Sequence, residues 1–374
     1  MAKVTNKSKQ TLTNSMVNVV GFDIGGVNTK AALLSTKKGS VKKLKTAVEY
    51  FPIWKRGKER LPEVLEKLRR LLVSSAALDG VGVTMTAELS DAYWNKREGV
   101  NHILDCVTEI FADVPIFVLS VDAELVSVKD ARKEPPKVAA ANWAATGWMA
   151  SRVIRDCLVV DVGSTTTSII PIVNGRIVAE GRTDLEKLLN GELVYTGALR
   201  TNVAAIVHYV PTRGGNARVS SELFATSGDV HLMLNHIREE DYTVETADGR
   251  RKTKKDAMAR LARVVCADID MLNEQEIVDM ARFICEKQVE QIAEGLKQVY
   301  GRMKQRRKED IPVVVTGLGR NFLAKQAAGK AGLNRVIDLG ELLGVNAAFM
   351  SPSVGVALMV ASRLEGQTVR WKQS

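Results

Sequence analysis

The chain contains few of the residues that build metal centres or disulfide frameworks. Its 374 residues include four cysteines and four histidines, and no two cysteines have CxxC spacing. This scarcity argues against a disulfide-linked fold and against a zinc-binding module, so we expect reduced thiols in the core or at the surface. One histidine pair is close in sequence, His231 and His236, but a five-residue separation places two side chains poorly on a helix for sharing a metal.

Long apolar runs are also absent. No uninterrupted apolar run approaches the roughly 18 residues of a membrane-spanning helix, and the first residues contain no apolar signal-peptide core. We therefore expect a cytoplasmic protein that does not act at a membrane.

Aromatic residues are scarce, at 5% of the chain, and they do not interleave with the basic segments. The net charge of +10 would suit nucleic acid, but base stacking needs aromatic side chains among the cations. Small anionic substrates and a solvated basic surface explain this charge more simply. The oligomeric state stays open, with a homo-oligomer among the alternatives.

Two segments of the chain have the same order of residue types, in which an aspartate is followed by glycine and by hydrogen-bond donors. Val-rich runs lead into Asp23-Ile24-Gly25-Gly26 and into Asp161-Val162-Gly163-Ser164. Glycine lets a backbone approach an anion closely, hydroxyl and amide groups donate hydrogen bonds, and an aspartate can hold a divalent cation. Alone, each turn could be an ordinary glycine-containing hairpin, but the pair indicates two similar half-structures that face one anion. The predicted phosphate-binding residues are Gly25, Gly26, Asn28, Thr29, Lys30, Gly163, Ser164, Thr165 and Thr166, with Asp23 and Asp161 as metal ligands.

Periodicity and composition predict the elements around these turns. A polar, aperiodic segment, 1–15, is expected to be a disordered leader. Helices are predicted at 61–75, 99–111, 137–151, 254–266, 274–303 and 344–364, and strands at 17–34 (around the first turn), 46–52, 80–85, 114–119, 169–180 (a hairpin), 311–315 and 334–339. Residues 209–249 show little periodicity, which is typical of a functional segment.

The two turns, followed by Thr316-Gly317-Leu318-Gly319, resemble the two phosphate motifs and the adenosine motif of the actin, sugar kinase and Hsp70 superfamily. The resemblance implies an α/β fold, the two-lobed actin-like ATPase (ribonuclease H-like) fold, in which each lobe is a mixed sheet flanked by helices. The first lobe would comprise 16–152 and 345–374, and the second 153–344. It also adds Gly317 and Gly319 to the predicted phosphate site.

Longer strings resemble a narrower group, the hydantoinase/oxoprolinase-related proteins linked to tetrahydromethanopterin C1 metabolism. These strings are TMTAELSD (84–91), AAANW (139–143), GRTDL (181–185), GELVYTG (191–197) and SSELFAT (220–226). In its archaeal branch this family joins γ-glutamyltyramine to an aminomethylfuran-methyl diphosphate during methanofuran assembly and releases diphosphate. The resemblance therefore implies a transferase.

This expected reaction assigns roles to the candidate residues. Mg²⁺ held through Asp23 and Asp161 would help the two turns and Lys30 to stabilise the leaving diphosphate. Because a phenol has a pKa of about 10, a positioned carboxylate would remove its proton. The catalytic candidates for this step are Glu88, Asp184 and Glu192, each of which could instead be a helix cap or a solvated charge.

Three further residues are candidates for gripping the glutamyl carboxylate or the diphosphate: Arg200, Arg213 and His231. Tyr195 could stack on the furan or the phenol, although a packed tyrosine is an equal alternative. Two other functions stay open, an ATP-dependent kinase or hydrolase and a nucleotide-binding protein without catalysis. Mg²⁺ is the expected cofactor, and ATP is an alternative that the longer strings do not favour.

Overall fold

A computed structural model describes residues 15–73, 77–306 and 310–371. The expected leader, apart from Ser15, lies outside these residues, as do the last predicted positions of the helix at 61–75. Within the described ranges, no helix combines the length and the apolar character that crossing a membrane requires.

The first part of the chain builds one mixed sheet and the helices beside it. Its elements are β1 (Val17–Ile24), β2 (Asn28–Lys37), β3 (Ser40–Tyr50), α1 (Ile53–Arg56), α2 (Leu61–Leu72), β4 (Gly80–Met85), α3 (Lys96–Ile110), β5 (Ile116–Leu119), β6 (Leu125–Ser127), α4 (Val128–Lys133) and α5 (Asn142–Ser151). The apolar stripe of α2 is buried against one face of the sheet, together with α3. A helix that buries one face repeats apolar residues every three or four positions, and this spacing of the leucines predicted the helix correctly.

The second part of the chain repeats this plan with a larger set of helices. Its elements are β7 (Cys157–Val162), β8 (Thr167–Val173), β9 (Arg176–Ile177), α6 (Asp184–Leu189), β10 (Leu193–Val194), α7 (Val203–Ile206), β11 (Tyr209–Thr212), β12 (Gly215–Arg218), α8 (Ser227–Met233), α9 (Lys254–Arg263), α10 (Glu274–Arg306), β13 (Val313–Gly317), α11 (Lys325–Lys330), β14 (Val336–Asp338), α12 (Leu339–Leu343), α13 (Val345–Phe349) and α14 (Ser351–Glu365).

The two sheets share a strand order. In the first sheet the order is β3-β2-β1-β4-β5-β6, and in the second it is β10-β8-β7-β13-β14, with β9 also paired to β8. In each, an antiparallel hairpin (β1 with β2, β7 with β8) is followed by two strands parallel to its first strand. This repeated topology confirms the predicted two-lobed, actin-like α/β fold.

Helices α5 and α14 pack against each other between the sheets. A Cβ added at Gly355 of α14 would lie 2.5 Å from the carbonyl oxygen of Ala145 in α5, so only glycine permits this approach. On the first sheet, a Cβ at Gly21 would lie 2.1 Å from the carbonyl oxygen of Ser353. Helix α14 therefore packs on the first sheet.

Helix α5 differs from its expected assignment to the first lobe. A Cβ at Gly147 would meet Ile177 and Ile170, so the outer face of α5 packs on the second sheet. The small residues of α5, which predicted a close-packed helix, thus allow it to pack closely against both α14 and the second sheet.

Two segments contain more structure than their sequences indicated. Strand β3 begins at Ser40, well before the expected 46–52, because it pairs along most of β2. Residues 209–249 include the β11–β12 hairpin and α8, whose pairing and burial depend on contacts with distant parts of the chain.

We predict that Gly355→Ala destabilises the protein by about 1–3 kcal/mol, because the added methyl overpacks the α5–α14 contact. Urea-induced unfolding measures the change. Gly329→Ala, in α11 with nothing within 4 Å of its Cβ position, is the matched helix control. It should be neutral or slightly stabilising, and equal destabilisation of the two variants would contradict the packing argument.

Candidate active site

The two turns have the same backbone geometry. The N–H of Gly25 donates to the carbonyl oxygen of Asn28 at 3.1 Å, and the N–H of Gly163 donates to that of Thr166 at 2.9 Å. In both lobes a glycine thus begins a four-residue turn that joins two antiparallel strands. The residue pattern that is repeated in the sequence therefore forms the same kind of turn in both lobes.

The two turns line one cleft of about 370 Å³. Because β4 runs parallel to β1, the segment after β4 reaches the same edge of the sheet as the first turn and brings Glu88 there. The cleft collects most of the predicted site residues: Asp23, Gly25, Gly26, Asn28, Lys30, Glu88, Gly163, Ser164, Thr165, Thr166, Asp184, Tyr195 and Arg200.

Asp23 and Asp161 form an interacting pair of carboxylates, of which Asp23 is buried and Asp161 is partly exposed. Burial raises the pKa of Asp23 to about 6, and Asp161 raises it further while Lys30 opposes the shift. Asp161 accepts hydrogen bonds on Oδ2 from Thr146 Oγ1 at 3.1 Å and Ser351 Oγ at 3.2 Å, and burial also raises its pKa. Asp23 Oδ1 is buried and has no hydrogen-bond partner among the residues that the structure describes. Two neighbouring carboxylates, one with a spare oxygen, are a donor set that suits Mg²⁺.

Glu88 is the second buried carboxylate of the cleft. It is 1% exposed, and within the described part of the chain neither of its oxygens has a well-aligned hydrogen-bond donor. Lys96 Nζ lies 4.0 Å from Glu88 Oε1. Burial raises the pKa of Glu88 to about 7, while Lys96 acts in the opposite direction. A Cβ at Gly99 would lie 2.5 Å from Glu88 Cα, so helix α3 holds this residue in place. Glu88 is therefore poised to exchange a proton near neutral pH.

Lys187 was not singled out from the sequence. It is 1% exposed, and its Nζ lies 3.5 Å from the ring centroid of Trp143. No described residue forms a hydrogen bond with that nitrogen. Burial lowers the pKa of Lys187 to about 7, against the attraction of Glu192 and Asp184. The sequence pattern of α6 is misleading, because its leucines Leu185, Leu188 and Leu189 are exposed and its lysine is buried.

Contacts between the lobes surround the cleft. Lys96 Nζ lies 2.9 Å from Asp184 Oδ2, which joins α3 of the first lobe to α6 of the second. Arg200 donates to Thr165 Oγ1 at 3.2 Å, and its guanidinium lies 5.3 Å from the ring centroid of Trp54. Arg200 is thus the predicted arginine that reaches a phosphate turn.

Three predicted residues lie away from the cleft. Glu192 is fully buried, accepts the N–H groups of Glu180 and Gly181, and pairs with Arg302, so it braces the loop before α6. Arg213 is exposed and pairs with Glu276.

His231 is buried inside the second lobe, where Nε2 contacts Gln288. Glu192, Arg213 and His231 have side chains that would suit a substrate site, but their positions in the fold place them outside the cleft.

Thr29, Asp161, Gly317 and Gly319 are also not among the residues that line the cleft. Thr29 is fully buried behind the first turn. Gly317 has φ of +84°, and a Cβ there would lie 2.6 Å from Asp161 Oδ1. A Cβ at Gly319 would lie 2.4 Å from Val162 Cγ1. These two glycines therefore allow β13 to end tightly against the second turn.

The structure defines a two-lobed α/β protein whose two turns line one cleft, and comparisons with known proteins identify its family. The hydantoinase/oxoprolinase family matches residues 79–362, so the chain belongs to that family, as predicted. A relative from Methanocaldococcus jannaschii is 36% identical over 350 residues, which covers 93% of this chain and 99% of the relative. A second, from Methanococcus vannielii, is 32% identical over 228 residues, covering 60% of this chain and 99% of the relative. Both are named (4-{4-[2-(gamma-L-glutamylamino)ethyl]phenoxymethyl}furan-2-yl)methanamine synthase.

Solved structures with the same overall plan are only distantly similar. The activator of 2-hydroxyisocaproyl-CoA dehydratase from Clostridium difficile, with bound ADPNP, has 12% sequence identity and a TM-score of 0.44, with 94% of this chain and 96% of that chain covered. A likeness of this size says nothing about the ligand of the present cleft.

We predict that Lys187→Met changes stability in a pH-dependent way. Between about pH 7 and the usual lysine pKa of 10.5, the unfolded chain holds the Lys187 proton and the folded chain does not. Lys187 therefore destabilises the folded protein most at and below pH 7. This destabilisation becomes smaller as the pH rises across this window. The gain from Lys187→Met should be greatest near pH 6 and shrink toward pH 10.

Urea unfolding at several pH values measures this difference. Lys129→Met, at an exposed position of α4, controls for the loss of one positive charge. A Lys187→Met difference that stays constant from pH 6 to pH 10 would contradict a lowered lysine pKa.

Proposed function

We propose that this protein is a transferase that forms the aryl ether bond of the methanofuran precursor, from γ-glutamyltyramine and an aminomethylfuran-methyl diphosphate. The names of its relatives describe a product with a phenoxymethyl-furan linkage. The observation that carries the proposal is that a single cleft is lined by both turns, by Asp23 and by the separate buried carboxylate of Glu88, while Asp161 interacts with Asp23 from the end of β7. These are the groups required to release diphosphate and to deprotonate a phenol.

The reaction balances with these two substrates alone. The bond between the furan methylene carbon and the diphosphate oxygen breaks, and its electron pair leaves with the diphosphate. The phenol oxygen forms the new bond to that carbon, and the phenol proton passes to a base. Electron donation from the furan ring stabilises positive charge at the methylene, so the enzyme's main task is to stabilise the leaving anion.

The two turns and Lys30 are positioned for that task. Backbone N–H groups and hydroxyls of the turns would hold the diphosphate oxygens, and Lys30 lies opposite Asp23 on the paired strands. Asp23 and Asp161 would hold Mg²⁺, which supplies charge neutralisation at the leaving group. Arg200, beside Thr165, would bind either diphosphate or the glutamyl carboxylate.

Glu88 is the best-placed proton acceptor. Its raised pKa makes the carboxylate a stronger base than an exposed glutamate and leaves it ionised above about pH 7. Trp54, Leu89 and Tyr195 line the same cleft and are partly exposed, so they offer apolar surface for the furan and phenol rings.

We also infer that the protein acts in the cytoplasm of a methanofuran-producing cell of archaeal type, on small molecules and not on nucleic acid or membranes. All four cysteines are free, which agrees with a reducing compartment. An ATP-dependent kinase or hydrolase is the second candidate function, because the paired turns would also suit the phosphates of ATP.

The direct test supplies Mg²⁺, γ-glutamyltyramine and the furan-methyl diphosphate, with and without ATP, and detects the ether by mass spectrometry. We expect equal amounts of ether and diphosphate in the absence of ATP. Strict dependence on ATP would refute the proposed reaction and favour the second candidate.

Removing Mg²⁺ or altering one aspartate of the carboxylate pair gives a second test of the proposed reaction. Chelation of Mg²⁺ and Asp161→Asn should each reduce turnover by more than about 100-fold, because even groups that only support a metal ligand contribute roughly 10- to 100-fold. Circular dichroism checks that the variant is folded. Unchanged turnover in folded Asp161→Asn would remove the metal role of this residue.

We predict that Glu88→Gln lowers turnover by roughly 100-fold or more and changes its pH dependence. In the parent, kcat/KM should rise through about pH 7 as Glu88 loses its proton, and then level off. The variant should lack this rise. A rise that survives in Glu88→Gln would assign it to another group, such as Lys187.

Arg213→Ala is the matched control, because Arg213 pairs with Glu276 on the surface outside the cleft. It should keep parental turnover and the parental pH profile. A large loss in Arg213→Ala would mean that the cleft described above is not the whole site.

A further inference from the structure

The second lobe contains a buried cluster of two imidazoles and a thiol outside the cleft. His231 lies on α8, Cys285 lies on α10, and His236 follows the end of α8. The Nδ1 atoms of the two histidines are 3.2 Å apart, and the ligand atoms of all three residues lie within 4.8 Å of one another. On a continuous helix the five-residue spacing would separate the two histidines. Helix α8 ends at Met233, however, and Asn235 has φ of +57°, so the chain turns and His236 comes back beside His231.

A hydrogen-bond network fixes the tautomer of His231. The side-chain amide nitrogen of Gln288 donates to Thr196 Oγ1 at 2.9 Å and to the carbonyl oxygen of Gly197 at 2.8 Å. Gln288 Oε1 is therefore the acceptor for His231 Nε2–H, at 3.0 Å. His231 is fully buried and no carboxylate is among its hydrogen-bond partners in the described residues, so the neutral ring with its hydrogen on Nε2 fits these contacts. Its Nδ1 consequently carries a free lone pair directed toward His236.

The geometry points to a transition-metal site: we propose that His231 Nδ1, His236 Nδ1 and the Cys285 thiolate bind Zn²⁺, with water as the fourth ligand. In tetrahedral zinc sites with Zn–N bonds of about 2.0–2.1 Å, two ligand nitrogens lie about 3.3 Å apart. The observed separation of 3.2 Å matches this spacing. Two imidazoles and one thiolate are a donor set that zinc favours.

The protons balance on binding. Cys285 releases its thiol proton to solvent, and the hydrogen of neutral His236 resides on Nε2, so that both Nδ1 atoms are free to bind. His236 is half-buried, which leaves a path for the metal and for water. Gln288 orients His231 from behind, as carbonyl and carboxylate groups orient zinc-bound histidines generally. Phe322 packs against both imidazole rings, at 4.5 Å and 5.1 Å between centroids.

The cluster connects with the second phosphate turn. Gln288 holds Thr196 and Gly197, and a Cβ at Gly197 would lie 2.6 Å from the backbone nitrogen of Thr165. The N–H of Ala198 also donates to the carbonyl oxygen of Gly163 at 2.9 Å. Zinc at the cluster would therefore brace the segment that supports this turn, a structural role independent of the proposed reaction.

A competing explanation is a simple hydrogen bond between the two histidines, with Cys285 as a packed thiol. Metal binding by the full-length, untagged chain separates these explanations. The protein is stripped with a chelator and titrated with Zn²⁺ against a chromophoric chelator, in excess Mg²⁺ to occupy the carboxylate pair. Co²⁺ then replaces Zn²⁺, because a cobalt–thiolate absorption band reports a cysteine ligand.

We expect one tightly bound Zn²⁺ per chain and a cobalt–thiolate band. Cys285→Ser should abolish the band and weaken zinc binding by at least tenfold, and His236→Ala, a half-buried change that tests the site if Cys285→Ser does not fold, should do the same. Cys266→Ser and His208→Ala, at exposed positions, are matched controls and should bind as the parent does. Parental zinc affinity in both cluster variants, or no thiolate band in the parent, would overturn the proposal.

Discussion

Asp161 is held by both helices that pass between the lobes. Thr146 of α5 and Ser351 of α14 each donate a hydroxyl to the same carboxylate oxygen, and the two hydroxyls lie 3.1 Å from each other. The close approach of α5 and α14, which depends on Gly355, is what brings these hydroxyls together. The packing of α5 against α14 therefore positions the Asp161 carboxylate, which lies at the end of β7 just before the second turn.

Burial gives the cleft its chemistry. Asp23 and Glu88 are acids whose pKa values rise toward neutrality, and Lys187 is a base whose pKa falls toward it. The same physical cause, the loss of water around a charged group, drives all three shifts. Such groups lower stability unless a ligand or an ion compensates them, so they are typical of places where a protein binds charged partners.

The sequence predicted the features that are local in the chain. The glycines and hydroxyls of the turns, the amphipathic stripe of α2 and the family strings are each readable within a few residues. The sequence did not single out Lys187, and it placed His231 among the substrate-binding candidates, because the surroundings of both residues come from distant segments. Lys187 is buried while the neighbouring leucines of α6 are exposed, the reverse of the usual pattern, and His231 meets Gln288 from a helix more than fifty residues away. Arg213 has suitable chemistry, but only the folded chain shows that it points to Glu276.

Ion pairs also join the two lobes. Lys96 pairs with Asp184, which lines the cleft. Lys55 with Glu245 and Arg182 with Asp122 are largely exposed ion pairs between the lobes. Each exposed pair contributes at most about 1 kcal/mol and is weakened by salt. The electrostatic attraction between the two lobes therefore becomes weaker as the ionic strength rises.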